Sequence, residues 1–399
     1  MLSVEQAQAE IMGRARSLPA ERVDLLAALG RVLAEPIRST RRIPPWPNSS
    51  MDGYAVRAAD TRPAATLTVV DRVVAGSLPT RTVGAGEATR IFTGAPMPPG
   101  ADAVVPQEDV DARDGVIALR GAVASGAYVR PAGEDLREGD LVLEPGRPIG
   151  AAEIGILATL GRTQVMVGRR PRVAVLSTGT ELADLGTEPT AAQIPNSNTY
   201  SLMAQITEAG GLALNLGVAP DRLEAIAERI TRGTEADALV TSAGVSVGEL
   251  DLVREALVNA GAELHLWKVD MRPGKPITFG SLGGRPVFGL PGNPVSAMVT
   301  FELFVRPMLL VMQGRRVVSR PRVRATALAP LVNPGSRRGY LRVVLETRDG
   351  RWGVRLTGDQ GSGILRSMVS ADGLAVLAGD TKIEPGEDVE VIVLREVSR

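Results

Sequence analysis

The sequence predicts a multidomain α/β protein. A central doubly wound, mainly parallel α/β domain is joined by a helical, mixed N-terminal domain, a β-rich domain and a small C-terminal β-barrel. Three observations carry this. At 399 residues the chain exceeds the roughly 100–200 residues that one core ordinarily serves. From residue 171 onward, short apolar β-branched runs alternate with stretches of helical spacing, the rhythm of βαβ units. Between residues 43 and 149, and again after 321, glycine and proline punctuate short runs of alternating character, the pattern of β-rich modules.

Taken in order, residues 3–34 show helical spacing, with Leu25, Leu26 and Leu33 among alanines and Gly30 as a helix stop. The β-rich segment contains TLTVVDRVVAG and DLVLEPG, and AAEIGILATLG (151–161) reads as a helix that follows it. The α/β rhythm then runs RVAVLST, a helix near 198–209, ALNLGVAP, a helix near 222–232, DALVTSAG, a helix near 251–260, and ELHLWKV. PITFGSLGGRPVFGL reads as a hairpin turned on Gly283 and Gly284. PVSAMVTFELFVRPMLLVM is an apolar helix ending at Gly314. RVRATALA, YLRVVLET, WGVRLTG and VEVIVLRE supply the final strands. The expected domains are 1–42 with 140–170 (mixed helical), 43–139 (β-rich), 171–314 (α/β) and 315–399 (barrel).

Composition narrows the chemistry. Lysine plus arginine equals aspartate plus glutamate at 45 each, so no global field draws in nucleic acid or an anionic membrane. With no cysteine and the single histidine His265, disulfides, thiolate nucleophiles, zinc centres and a Ser-His-Asp triad are excluded or nearly so. Oxygen chemistry remains: carboxylates, hydroxyls, a hard cation such as magnesium, and basic side chains for anions. The N-terminus carries acids early and lacks a signal-peptide core, and no later stretch is read as a membrane span of roughly 20 residues, so a cytoplasmic protein is expected.

In a doubly wound sheet, ligands sit at the carboxyl ends of the strands. There the sequence places STGTEL (177–182), APDR (219–222), SAGVSVGELD (242–251) and MRPGKP (271–276), bringing Glu181, Asp221, Asp251, Arg272 and Lys275 toward one crevice. Acids and bases collected in this way suit a cation-bridged phosphate ligand. The turns PGKP and LPGNP (290–294), with Pro294 opening a helix, make a rigid backbone beside a cation and hence an oxyanion cradle. Each element also has a plain structural reading. Asp221 and Asp251 sit where a helix N-cap belongs, Asp52-Gly53 is an ordinary turn pair, Glu134 and Asp135 read as surface acids, and His265 and Trp267 as structural residues.

As an ordered set, NSSMDGYAV, RIFTGAPMPPGADAVVP, GEDLREGD, AVLSTGTEL, NSNTYSL, SAGVSVGELD, RPGKP and LPGNPVS resemble the molybdopterin molybdenumtransferase family, called MoeA in bacteria and the E domain of gephyrin in animals. The resemblance spans essentially the whole chain and makes 171–314 a molybdopterin-binding domain. It implies that adenylylated molybdopterin and molybdate are the substrates of a magnesium-dependent step that inserts the metal and releases AMP. By motif position it implies roles for Asp52, Thr93, Asp135, Glu181, Asp221 and Asp251, with Glu181 and Asp251 handling the cation and Asp221 orienting. Ser242, Gly244, Ser246 and Gly248 belong to the bare turn that lets phosphate or pterin approach the backbone. Lys268, Arg272, Lys275, Pro276, Pro291, Gly292, Asn293 and Ser296 match positions around the oxyanion site, joined by Arg338 or Arg342 and by Ser367. Two positions depart from the family pattern: arginine stands at 272 where lysine is common, and Ala243 where glycine is common.

The resemblance also implies a homodimer whose site is shared between subunits, and partners in the molybdopterin adenylyltransferase and the acceptor molybdoenzymes. Two rivals use the same fold: a non-catalytic scaffold, and the adenylyltransferase itself, which needs only the parallel-sheet domain. Molybdate and tungstate are not distinguished by these residues.

Overall fold

The computed structural model describes residues 1–243, 252–348 and 350–396, and the side chains of Leu266 and Arg348 lie outside that description. The chain divides into two compact units, Met1–Ala34 with Pro145–Ala151 and Gln164–Arg399, and Glu35–Glu144 with Ala152–Thr163.

The first unit is built on a six-stranded sheet. Its strands are β1 (Arg172–Thr178), β2 (Leu212–Ala219), β3 (Ala238–Ser242), β4 (Glu263–Lys268), β5 (Pro276–Leu282) and β6 (Arg285–Leu290). Their spatial order is β2-β1-β3-β6-β5-β4. The β2, β1, β3 and β6 strands pair in parallel, and β5 and β4 add an antiparallel edge through the hairpin at Gly283 and Gly284. Covered on both faces, β1 is apolar almost throughout. Val173 and Val175 enter one core with Leu202 and Ile206 of helix α1 (Ser197–Glu208) and Val295 of helix α4 (Pro294–Met312). Ala174 and Leu176 enter the opposite core with Ile226 and Ile230 of α2 (Leu223–Gly233) and Val253 and Leu257 of α3 (Leu252–Asn259). Each of these valine, leucine and isoleucine side chains contributes about 1.5–3 kcal/mol when fully buried.

One expectation needs amending. Pro294–Met312 is 19 residues long and apolar enough to pass as a membrane span, yet 83% of it is buried inside the fold, so it serves here as a core helix.

The barrel at the end of this unit closes through Arg338–Arg348, Arg351–Leu356, Arg322–Ala327, Asp388–Val393 and Gly373–Leu377, the last returning to pair with the first. Val343, Leu345, Val354 and Val391 fill its interior. The opposite face of the same strands brings Tyr340, Leu374 and Ile392 to the core shared with α4.

The N-terminal segment differs from the helical expectation for 3–34. A helix runs only over Val4–Arg14, started by a Ser3–Gln6 capping box. Pro19 cannot extend it, and Ala20–Asp24 instead forms a strand antiparallel to Gln164–Gly168. Leu25–Ala28 is a short 3-10 turn that leaves Leu26 and Leu29 exposed. Gly168 approaches the end of α4 so closely that an added Cβ would lie 1.9 Å from the Gln313 carbonyl oxygen. Gly168→Ala is therefore expected to destabilise this unit by about 1–3 kcal/mol through backbone displacement. Faster hydrogen exchange across 164–168 is the expected readout, and unchanged protection there would contradict it.

The second unit carries a six-stranded sheet in the order Ala103–Pro106, Gly53–Val56, Glu87–Ile91, Thr66–Val73, Val116–Leu119, Val110–Arg113. Its pairs are antiparallel except Thr66–Val73 with Glu87–Ile91. Gly53 is required by close approach, since a Cβ there would sit 2.0 Å from the Val105 carbonyl oxygen.

Candidate active site

A cavity of about 650 Å³ opens at the carboxyl ends of β1, β3 and β6, where a doubly wound sheet gathers its ligands. Thr178 ends β1, Ser242 ends β3, and Gly292 and Asn293 follow β6; all line the cavity, with Glu181 and Asn198. Glu181 is the carboxylate in this lining among the described residues. It folds back over Gly179, whose φ of +148° favours glycine, and an added Cβ there would meet both carboxylate oxygens at 2.6 Å and push Glu181 aside.

Asp221 does not cap α2, whose N-cap is Arg222. Its Oδ2 instead accepts the Thr180 amide at 3.1 Å and the Thr180 hydroxyl at 3.3 Å, while its own N–H donates to Thr180 Oγ1 at 3.4 Å. Asp221 thus fixes the loop that presents Glu181.

Sequence reasoning missed Asn198. From the first turn of α1 its Nδ2 donates to Ser242 Oγ at 2.8 Å and to the Gly292 carbonyl at 2.6 Å, tying the end of β3 to the loop after β6. Its signal was the NSNTYSL stretch, in which Asn196 caps α1. Beneath it lies a buried polar chain, with Asn196 donating to Thr199 Oγ1 at 2.9 Å and that hydroxyl 2.7 Å from Ser177 Oγ. Ala243 sits at φ +79°, a left-handed conformation that costs a non-glycine residue roughly 1–2 kcal/mol. The strain falls at one of the two positions where the sequence departs from the pattern it resembles, beside Gly292, where an added Cβ would lie 3.6 Å from the Ala243 Cβ. Gly244, Ser246, Gly248 and Asp251 lie outside the described residues.

At the start of α4, Asn293 is the N-cap and Pro294 the first helical residue. Asn293 Nδ2 donates to Ser362 Oγ and the Val295 amide to the Ser362 carbonyl, both at 3.1 Å. The 358–365 loop reaches this point from the barrel, and its Gly363 and Leu365 line the cavity. On its other side it packs against Arg342, only 1% exposed. Arg342 Nε donates to Ser367 Oγ at 3.1 Å and Nη2 to the Gly361 carbonyl at 3.2 Å. Burial pushes this guanidinium down to about 10, with Asp359 pulling it up and Arg272 adding to the decrease. Arg342 and Ser367 are thus brought together, buried behind the loop that lines the cavity.

Arg338 is not. It pairs with Glu5 and lines a separate polar cavity of about 360 Å³ with Arg322, Tyr340 and Glu390.

The RPGKP turn packs on α4, one helical turn beyond the buried Ser296: a Cβ on Gly274 (φ +101°) would lie 2.4 Å from Thr300 Cγ2. Arg272 Nη1 donates to the Pro334 carbonyl at 2.9 Å. Lys268 and Lys275 have exposed side chains; Lys268 pairs with Pro276 across β4 and β5, and the Lys275 carbonyl accepts from Val269. Pro291 leads from β6 into the α4 cap. His265 stacks on Trp267 with ring centroids 6.2 Å apart, and Trp267 packs on Phe279.

In the second unit, Asp52 Oδ1 accepts the Thr93 amide and the Thr93 hydroxyl, each at 2.8 Å. These two bonds, the amide first, hold the Asp52 carboxyl below its ordinary range against a small desolvation penalty, and Arg90 assists. Asp135 is exposed, and its backbone N–H donates to the Ile43 carbonyl at 2.9 Å.

Family comparisons agree along the chain. Residues 2–161 match the MoeA N-terminal region (domain I and II), 174–311 a probable molybdopterin binding domain, and 324–394 the MoeA C-terminal region (domain IV). A molybdopterin molybdenumtransferase from Nostoc sp. is 39% identical over 386 residues, covering 94% of this chain and 88% of that protein. Molybdopterin molybdenumtransferase 2 from Mycobacterium tuberculosis is 36% identical over 403 residues, covering 98% and 99%. The crystal structure of a molybdopterin biosynthesis MoeA protein from Pyrococcus horikoshii superposes with a TM-score of 0.86 at 28% identity, covering 99% of this chain and 100% of that one. From its fold, its ordered motifs and these relatives, the chain belongs to the MoeA family of molybdopterin molybdenumtransferases.

Proposed function

We propose that this protein inserts molybdate into adenylylated molybdopterin and releases AMP. The observation that carries this reading is the cavity at the strand ends joined, through the 358–365 loop, to the buried Arg342–Ser367 pair. A cavity of about 650 Å³ falls within the range of ordinary small-ligand sites. The α4 N-terminus suits a phosphate-bearing ligand, and Arg342 with Ser367 suits a tetrahedral dianion.

The reaction asks for no protein nucleophile. Breaking the phosphoanhydride requires the reacting groups to be held together and the negative charge to be met by fixed donors. Asn198 and Asp221 fix the loops, and Arg342 supplies positive charge on a rigid barrel strand. Among the described residues the cavity lining contains carboxylate, hydroxyl and amide oxygens and no sulfur or imidazole, a donor set that suits a hard cation. Glu181 and Asp251 would hold magnesium. When bound, it would neutralise phosphate charge. By the same reading the protein works in the cytoplasm as a homodimer, in which Asp52 of one protomer serves the crevice of its partner.

The test is AMP release from adenylylated molybdopterin by the purified chain with magnesium, with and without molybdate. Release is expected to depend on molybdate, to yield a product that activates an apo-molybdoenzyme, and to fall at least ~100-fold in Asp251→Ala. No release with any oxyanion from a folded protein would overturn the assignment in favour of a scaffold. Full activity in an isolated 171–314 fragment would instead point to adenylyl chemistry.

A further inference from the structure

We infer that Arg90 is a positioning residue for Asp52. The inference rests on the reading that Asp52 serves the reaction, and it concerns how the second unit holds that carboxylate in place.

Asp52 lies in the turn that opens the strand Gly53–Val56. Its Oδ1 is occupied by the amide and hydroxyl of Thr93, whereas Oδ2 accepts nothing from the described residues and is left for an incoming donor or cation. The direction of Oδ2 depends on the Asp52–Gly53 backbone, and Arg90 braces that backbone at two points. Its Nη1 donates to the Gly53 carbonyl at 3.1 Å. Its Nη2 donates to Gln107 Oε1 at 2.6 Å, and the Gln107 backbone N–H donates to the Asp52 carbonyl at 3.0 Å. The guanidinium therefore joins both ends of the turn through its fork.

The fork itself is held by packing. Arg90 lies directly across from Tyr54 in the antiparallel pair. Its charged carbon sits 4.9 Å from the Tyr54 ring centroid and 4.8 Å from that of Phe92, with Arg72 over Phe92 at 5.2 Å. Two rings around a planar cation restrict it to one plane. Gly53 cannot shift to compensate, because it already lies against Val105. A turn this constrained loses its geometry when the brace is removed, and displacement of a reacting group by about 1 Å costs up to ~100-fold in rate. Lysine at position 90 would keep the charge between the rings but not the two-point fork.

The experiment measures kcat/KM for molybdate-dependent AMP release by the full chain in Arg90→Met, Arg90→Lys, Gln107→Leu, Asp52→Ala and Asp52→Ala/Arg90→Met, with thermal unfolding recorded for each. Arg90→Met is expected to lose about 10- to 100-fold, Arg90→Lys less, and Gln107→Leu part of the same loss with Arg90 intact. In the Asp52→Ala background, Arg90→Met should change the rate by less than ~2-fold, because a brace has no effect once the braced carboxylate is gone. If the two losses multiply in the double variant, or if Arg90→Met and Gln107→Leu both keep full activity while Asp52→Ala is impaired, the positioning role is overturned and the Asp52 reading stands. Full activity in Asp52→Ala would overturn both.

Discussion

Arg342→Met is expected to lower molybdate-dependent turnover by about 10²- to 10³-fold without lowering the stability of the empty protein. The two halves of that expectation share a cause. Arg342 is 1% exposed and bonded to a hydroxyl and a carbonyl, neutral partners that do not neutralise its charge. Burial is the leading reason its pKa falls to about 10, and the attraction of Asp359 only partly opposes it. A basic group whose folded-state pKa lies below its unfolded value costs stability wherever it is protonated. The cost is relieved only as pH climbs above about 10 toward the ordinary arginine range of the unfolded chain. At neutral pH the penalty is therefore fully present, and an apolar side chain of similar length removes it. A bound dianion compensates the same charge, so oxyanion binding should stabilise the wild type. At 100 times Kd that stabilisation is about 2.7 kcal/mol, read as a rise in unfolding temperature with molybdate or tungstate. Arg342→Met should lose both the rise and the turnover. An equal molybdate-induced rise in the variant would show that the anion binds elsewhere.

Arg342 and Arg338 also show where sequence reasoning reaches its limit. Both lie on Arg338–Arg348 with the same parity, so both leave the barrel on its outer face. Four residues of strand separate them by roughly 13 Å. One meets Ser367 and the loop that reaches α4; the other meets Glu5 of the N-terminal helix. No local pattern chooses between them, because the choice is made by what packs on each end of the strand. The same holds for Asp221, whose place just before a helix resembles a cap until Thr180 takes its carboxylate. It holds for residues 20–24 as well, whose strand depends on a partner at 164–168, far away in sequence. What was legible is what local chemistry dictates. Runs buried on both faces gave the parallel strands, paired glycines the hairpin, and proline-bracketed turns the start of α4. The functional loops could be placed because a doubly wound sheet allows them one end only. Asn198 escaped notice because its two acceptors, Ser242 and Gly292, are 44 and 94 residues distant.

The largest stability loss is expected from Glu302→Ala. Glu302 sits in the π-helical turn Phe301–Val305, which interrupts the apolar core helix α4, and it is 7% exposed. Its Oε1 accepts Arg320 Nε at 2.6 Å and lies 3.4 Å from Arg306 Nε, and its Oε2 accepts Arg320 Nη2 at 3.3 Å. Arg306 is itself mostly buried, and burial is the main reason its pKa is lowered, with Glu302 drawing it back up. Arg320 and the Val318 carbonyl, which accepts from Arg306 Nη1 at 2.9 Å, belong to the segment leading from α4 into the barrel. The carboxylate therefore fastens that segment to the core helix. Removing it leaves two cations facing each other in a poorly solvated place, a loss of about 3–5 kcal/mol for breaking a buried pair from one side. Glu302→Gln keeps an acceptor oxygen and should lose less. Replacing all three side chains by leucine should recover much of the loss, because the penalty comes from uncompensated charge and not from the shape of the site. A chain with two compact units does not unfold in one step, so the measurement is hydrogen exchange along α4 rather than a single global midpoint. Faster exchange across 294–312 in Glu302→Ala, reversed in the triple variant, is the expected result. Unchanged protection would mean that the helix is held by its apolar contacts alone and that the ion cluster adds nothing to it.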